Sequence, residues 1–362
     1  MPRSEPQTRK RKARAPRAPA KSHGRSADAS KPEPLILGID IGGTKVAAGL
    51  VDSRGQIVAR TRRPMVARKS AAEGLAAVVE TIQVMLASDA ARERSVEAIG
   101  ISTPGNIDPL TGAVVRAANL PCWRDFPLAK EIARATKLEV KVDNDGNAAA
   151  LAEAAWGAGV GYNSVFYLTL GTGVGTGIVI GGEVYHGRTG AAGEGGHVTI
   201  DYRGPRCTCG KQGCIEVYAA GPAIAQRAQA RLIQTERAGA KLNSKMLEIA
   251  GGRINAVNAE HVGRASLEGD PLATEILQET ADYLTIWIGN TIDLLEPDVI
   301  VVGGGLGQLM SSFFSYIRSR LPMWSINPRC QEIPIVGAVY GAVSGIAGAA
   351  ALCLSRRILA AR

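Results

Sequence analysis

Cysteine is scarce in this chain: six in 362 residues are too few for a disulfide framework. An apolar segment behind the basic N-terminus is also missing, so no secretory signal is expected. One stretch carries no charge, from Ile333 to Leu354, and is long enough to pass for a membrane span. It is dominated by Gly and Ala rather than Leu and Phe, with a proline near its start. A buried, closely packed helix is therefore the preferred reading. With 46% hydrophobic and 21% charged residues, collagen-like, disulfide-scaffold and wholly disordered classes are excluded, and the length allows two domains.

The net charge of +9 is unevenly placed. Residues 1–34 carry ten Lys/Arg against Glu5, Asp28 and Glu33, or +7, which leaves +2 for the other 328. This Pro/Ala/Lys/Arg/Ser-rich segment has no apolar periodicity and reads as a disordered basic tail. A nucleic-acid or membrane contact competes there with a plain solvated tail. The folded part, nearly neutral, is expected to bind neither nucleic acid nor membrane.

Order is expected from Leu35. Leu35–Ile41 is an apolar run ending in Gly42-Gly43-Thr44, followed by strands at Val46–Val51 and Gln56–Ala59 with a turn at Asp52–Gly55. A helix follows at Ala72–Ala87, with Leu75, Val78, Val79, Ile82 and Met85/Leu86 on one face. Then come a strand at Ala98–Ser102, a helix near Leu128–Thr136 and a strand at Leu138–Val142. The pattern repeats from Val165, with strands at Val165–Leu170, Gly175–Ile180, Glu183–Tyr185 and, after helices, Val299–Val302. Each half opens with a strand running into a Gly/Thr turn. Two similar α/β halves imply a cleft that grips a phosphate chain from both sides.

Gly171-Thr-Gly-Val-Gly-Thr-Gly177 is a phosphate-loop candidate, because glycines let backbone N–H groups approach anionic oxygens closely. It fits neither the dinucleotide fingerprint nor a Walker A loop, and a plain hairpin turn is the competing reading. Gly303-Gly304-Gly305, after a strand, suits a nucleotide at a helix start. Asp143-Asn144-Asp145 ends a strand before an Ala-rich helix, where α/β domains place their ligands; a helix N-cap is the alternative for either Asp. His197 followed by Cys207, Cys209 and Cys214 matches a closed structural zinc site of one imidazole and three thiolates, in a reducing compartment. Buried free thiols with an unrelated histidine are the bland reading. His23, His186 and His261 have no such company and read as ordinary surface or loop residues, and Cys122, Cys330 and Cys353 as isolated core thiols.

Asp40-Ile-Gly-Gly-Thr-Lys45, Asn144-Asp145-x-Asn147, the 171–177 loop, Gly193-Glu194-Gly-Gly-His197 and Cys207-x-Cys-Gly-x-x-Gly-Cys214-x-Glu216 resemble the ROK family (repressors, open reading frames, sugar kinases). The resemblance covers about residues 35–354. It implies the actin-like/hexokinase-type fold, with duplicated α/β domains around a central cleft: 35–146, then 147–337 with the zinc-binding loop. A C-terminal helix at about 338–354 would pack back on the first domain. Asp145 would be the general base. Asn119, Asn144, Asp145, Glu194, His197 and Glu216 would bind the sugar, with His197 also holding zinc beside Cys207, Cys209 and Cys214. Asp40 would hold the nucleotide's magnesium through water, and Gly43, Thr44, Lys45, Gly171, Thr172, Gly173, Gly303, Gly304 and Gly305 would cradle ATP.

Two departures stand out. Gly195 occupies a position that is usually aliphatic, and the final helix lacks the acidic residues often found just before it. The expectation is a cytoplasmic, homodimeric, ATP-dependent hexose kinase acting on the 6-hydroxyl of glucose. Mannokinase, fructokinase and N-acetylhexosamine kinase are the near alternatives, and a sugar-responsive transcriptional regulator without kinase activity is the distant one. Asp143, two positions earlier on an extended strand, is expected by strand alternation to point to the opposite face from Asp145 and to be dispensable.

Overall fold

The computed structural model describes residues 33–354 apart from 67, 241 and 242. The tail expected over 1–34 lies outside the described residues up to residue 32, and His23 with it.

The first half runs β1 (Leu35–Ile41), β2 (Lys45–Val51), β3 (Ile57–Pro64), α1 (Ala71–Leu86), α2 (Asp89–Glu93) and β4 (Val96–Thr103). A small sheet of β5 (Asn106–Ile107), β6 (Val114–Arg116) and β7 (Arg124–Phe126) follows. Then come α3 (Leu128–Thr136), β8 (Glu139–Asn144) and α4 (Asp145–Trp156). The second half opens with β9 (Ser164–Leu170), β10 (Val174–Ile180) and β11 (Glu183–Val184). A helical block covers α5 (Glu216–Ala219), α6 (Gly221–Arg237), α7 (Lys245–Ile249), α8 (Ala259–Leu267) and α9 (Pro271–Leu295). The chain ends its described part with β12 (Val299–Gly303), α10 (Gly305–Leu309), α11 (Phe314–Arg320), β13 (Ile335–Gly337) and α12 (Ser344–Ala351).

The duplication is explicit in the sheets. One has strand order β3-β2-β1-β4-β8, the other β11-β10-β9-β12-β13. In both, the first two pairings of that order are antiparallel and the last two parallel. Two separate cores follow, one around Leu37, Ile39, Ile99 and Ile101 beneath α1 and α3, the other around Phe166, Leu168, Ile276 and Trp287. A third cluster joins them through Ile36 and Ala47 of the first sheet, Val165 and Val301 of the second, and the alanines of α4 and α12. Alanine is what such a helix needs, because backbones approach too closely for larger side chains. A Cβ placed on Gly100 of β4 would sit 1.6 Å from the Ala349 carbonyl oxygen of α12.

The charge-free stretch from Ile333 thus holds β13 and the eight-residue α12, and no described helix is long and apolar enough to cross a membrane. Buried Glu153 of α4 fixes the approach to α12, accepting the backbone N–H groups of Ala158, Val339 and Tyr340 at 2.9–3.0 Å. Three charge-assisted bonds satisfy a carboxylate that would otherwise be costly to bury.

Candidate active site

A cavity of ≈ 240 Å³ opens where β8 gives way to α4. Asn119, Asn144, Asp145, Asn147, Thr176, Glu194 and His197 line it. Asn144, rather than either Asp, is the N-cap of α4: its Oδ1 accepts the Gly146 N–H at 2.8 Å, and its Nδ2 donates to the Gly105 carbonyl at 3.0 Å. One lone pair and one N–H of that amide stay available. Asp145 is the first residue of the helix and is open to the cleft. Crowding by protein, and then the charges of Asp40 and Glu194, hold its carboxyl above the usual carboxylate range.

Asp143 does face elsewhere: it lines a separate cavity of ≈ 490 Å³ and is not among the residues lining the ≈ 240 Å³ one. Alternation is not the reason, since residues two apart on a strand share a face. The strand ends at Asn144, and the helix turns Asp145 away.

Glu194 sits in a braced segment. The buried hydroxyl of Thr176 donates to the Gly193 carbonyl and accepts the Gly195 N–H at 2.9 Å, and Trp287 Nε1 donates to the Gly195 carbonyl at 3.0 Å. A Cβ on Gly195 would stand 2.8 Å from Thr176 Oγ1 and 3.2 Å from Trp287 Cζ2. Thr176 and Trp287 fill the space that a side chain at this position would need.

Asp40, at the end of β1, lies 3.4 Å from Ser102 Oγ; burial raises its pKa against the opposing pull of Lys45. The turn at Gly43 packs against Asn119, whose carbonyl oxygen would be 2.7 Å from a Cβ there. The other two glycine loops meet each other. Gly304 has φ +82°, and a Cβ on it would fall 2.2 Å from the Leu170 carbonyl oxygen. Gly171 and Thr172 line a second cavity of ≈ 360 Å³ with Gly221, Pro222, Asn258 and Leu306. Gly221 and Pro222 begin α6, Asn258 caps α8 and Leu306 lies in α10; none of them was singled out from the sequence.

His197, Cys207, Cys209 and Cys214 converge, with one ligand atom from each within 4.8 Å of all the others. Cys207 Sγ stands 3.6 Å from His197 Nδ1, and Cys209 Sγ 3.7 Å from Cys214 Sγ. A tetrahedral ion with bonds of about 2.3 Å to sulfur and about 2.0 Å to nitrogen sets ligand separations of about 3.5–3.8 Å. The donor set and its spacing fit zinc. Glu216 is not among the side chains lining the ≈ 240 Å³ cavity; it stands beside the cluster, with Oε1 4.0 Å from His197 Nδ1.

His186 departs from expectation. It is half-buried, with Nε2 2.6 Å from Asp143 Oδ2, rather than an ordinary loop residue. His261 does behave as a local residue, its Nδ1 accepting the N-cap N–H of α8. Cys330 is buried in the second core, and Cys122 and Cys353 pack against the first and the joining cluster.

Two sheets of identical order meeting at such a cleft define the actin-like sugar kinase fold. The ROK family description matches residues 36–356, and the chain belongs to the ROK family. It is 33% identical over 321 residues to a glucokinase of Streptomyces coelicolor, covering 88% of this chain and 97% of that one. An N-acetylmannosamine kinase of Escherichia coli is 31% identical, with 89% and 99% covered. Among solved structures, a ROK family glucokinase from Streptomyces griseus in complex with glucose and AMPPNP is 35% identical, TM-score 0.72, with 88% and 98% covered. A ROK family transcriptional regulator homologous to the E. coli MLC protein is 28% identical, TM-score 0.77, with 90% and 78% covered.

Proposed function

We propose that this protein transfers the γ-phosphoryl group of ATP to the 6-hydroxyl of a hexose, glucose first. The observation that carries the reading is Asp145: a carboxylate with raised pKa, open to a cavity whose lining also includes three side-chain amides, a second carboxylate and an imidazole. A sugar presents a ring of hydroxyls, and Asn119, Asn144, Glu194 and His197 are the groups that match them. Glu216, outside the lining of that cavity, would act on the sugar through His197.

Phosphoryl transfer asks a protein chiefly for positioning and charge neutralisation. Asp145 orients the 6-hydroxyl and accepts its proton as the bond to phosphorus forms. Gly43, Thr44 and Lys45 on one side, with Gly171–Gly173 and Gly303–Gly305 on the other, offer backbone N–H groups and one cation to the phosphates. The cavity beside Thr172 would take the nucleoside. Magnesium, held by Asp40 through water, would neutralise phosphate charge. Zinc, held by His197 and the three cysteines, would fix the loop that carries His197. The lobes of this reading are 35–146 and 147–337, with α12 packed on the first sheet.

A second reading, a sugar-responsive regulator, is supported by the likeness to the ROK transcriptional regulator. A coupled assay over glucose, mannose, fructose, N-acetylglucosamine and N-acetylmannosamine, with ATP and with polyphosphate, separates the two. ATP-dependent turnover greatest with glucose is expected. Hexose binding without turnover on any sugar would select the regulator.

A further inference from the structure

Beside the edge strand β8 lies a separate cavity, of ≈ 490 Å³, whose lining includes His186 and Asp143. Asp143 is buried, and both its oxygens are engaged. Oδ2 faces His186 Nε2 at 2.6 Å, while Oδ1 accepts the Asn144 N–H at 2.7 Å and the Asn147 Nδ2 at 3.0 Å. Asn144 and Asn147 line the sugar cavity, and Asp145 stands between them in the first turn of α4. One carboxylate thus connects a histidine outside the cavity to the side-chain amide of Asn147 and to the backbone N–H of Asn144.

We propose that His186 is a positioning residue for hexose binding, acting through Asp143 on Asn144 and Asn147. The inference rests on the reading of the ≈ 240 Å³ cavity as the sugar site. A buried carboxylate needs its charge met and its torsion held; the imidazole does both. The hydrogen bond to Asp143 raises the pKa of His186, favouring the charged donor form, and Lys141 and Glu183 are the other ionisable groups of the same cavity. Without the imidazole, Asp143 is left short of a donor. It then swings toward water in the outer cavity and releases the Asn147 amide. Asp143 faces away from the chemistry, as the sequence suggested, but it is not idle.

The test compares His186→Ala and His186→Gln in the full chain, using the hexose that the wild type phosphorylates fastest. Calorimetry without nucleotide gives the hexose Kd, and steady-state kinetics give both KM values. His186→Ala is expected to raise the hexose Kd and KM about tenfold, the scale of one lost bond to a charged group, with the ATP KM within about twofold. His186→Gln, whose amide still donates to Asp143, is expected to recover most of that loss. Wild-type hexose affinity in His186→Ala overturns the proposal. So does a parallel loss of hexose and ATP affinity with Tm in both variants, which marks a merely structural residue. A wild type that binds none of the five sugars defeats the reading of the cavity itself, before any substitution is made.

Discussion

Glu216 accepts the backbone N–H of Val174 through Oε2 at 3.0 Å, while its Oε1 stands 4.0 Å from Nδ1 of His197. One carboxylate therefore joins the glycine turn between β9 and β10 to the cysteine–histidine loop. Val174 and His197 both line the ≈ 240 Å³ cavity, and the turn that precedes Val174 is the 171–173 glycine loop.

Substitutions at Glu216 should separate those two contacts. Glutamine keeps an acceptor for the Val174 N–H but loses the charge beside His197. Glu216→Gln is expected to raise the hexose KM about tenfold and leave the ATP KM within about twofold. Glu216→Ala removes both contacts and is expected to raise both constants. Steady-state kinetics of the two variants check this, and an ATP KM untouched by alanine would show that the Val174 contact does not hold the turn.

The cysteine cluster gives a metal prediction. Cys209 is the exposed member, so serine there removes little packing, and any loss of stability reports the metal. Elemental analysis is expected to find one zinc per wild-type chain and none in Cys209→Ser. Tm should fall by at least about 5 °C, with the hexose KM rising alongside. Metal-free wild type with full activity would rule the zinc site out.

Much of this was readable in advance, for identifiable reasons. The apolar run Leu35–Ile41 and the helix Leu128–Thr136 are short, punctuated segments, and the structure places both at those bounds. The strand expected at Gln56–Ala59 instead runs Ile57–Pro64, because its outer half is an exposed sheet edge carrying Arg60, Arg62 and Arg63. The three-residue and shorter strands β5–β7 left no periodicity to find. The cysteine cluster is written in local spacing, and the structure brings its members together with His197. The pairing of His186 with Asp143 spans 43 residues and is set only by how β11 and β8 come to face one cavity. The cavity of Gly221, Asn258 and Leu306 was hidden for the same reason.

Gly345 makes the approach of α12 to Asp40 testable. In the first turn of α12, a Cβ at this position would lie 2.5 Å from the Asp40 carboxyl carbon and 2.7–2.8 Å from its oxygens. Gly345→Ala must therefore push the carboxylate off its position. Turnover is expected to fall at least about tenfold and the magnesium requirement to rise, since overpacking typically costs about 1–3 kcal/mol where nothing can yield. Magnesium titration of turnover checks this, with the hexose Kd from calorimetry as the control, expected within about twofold of wild type. An unchanged magnesium dependence would separate Asp40 from the metal.

Asp145 carries opposite consequences for activity and stability. Crowding by the surrounding protein first, then the charges of Asp40 and Glu194, raise its folded pKa above the unfolded value of 3.8, although the carboxylate is open to the cleft. The folded protein thus holds that proton more tightly than the unfolded chain. Stability from this group is full below pH 3.8 and declines as pH rises through the folded pKa, so the ionised carboxylate costs stability at neutral pH. Asparagine removes the charge and keeps an acceptor for the Gly146 N–H that Asp145 Oδ1 now engages at 3.0 Å. The Tm of Asp145→Asn is therefore expected to match or exceed that of the wild type at pH 7, with the gap closing toward pH 3.8. Activity should move the other way, because an amide cannot take the hydroxyl proton: turnover should fall by roughly 10²–10⁴-fold with hexose and ATP still binding. The wild-type kcat/KM should climb with pH through the raised pKa and then level, and the variant should lack that limb. A variant that keeps wild-type turnover, or that loses it only by unfolding, would mean that Asp145 is not the base.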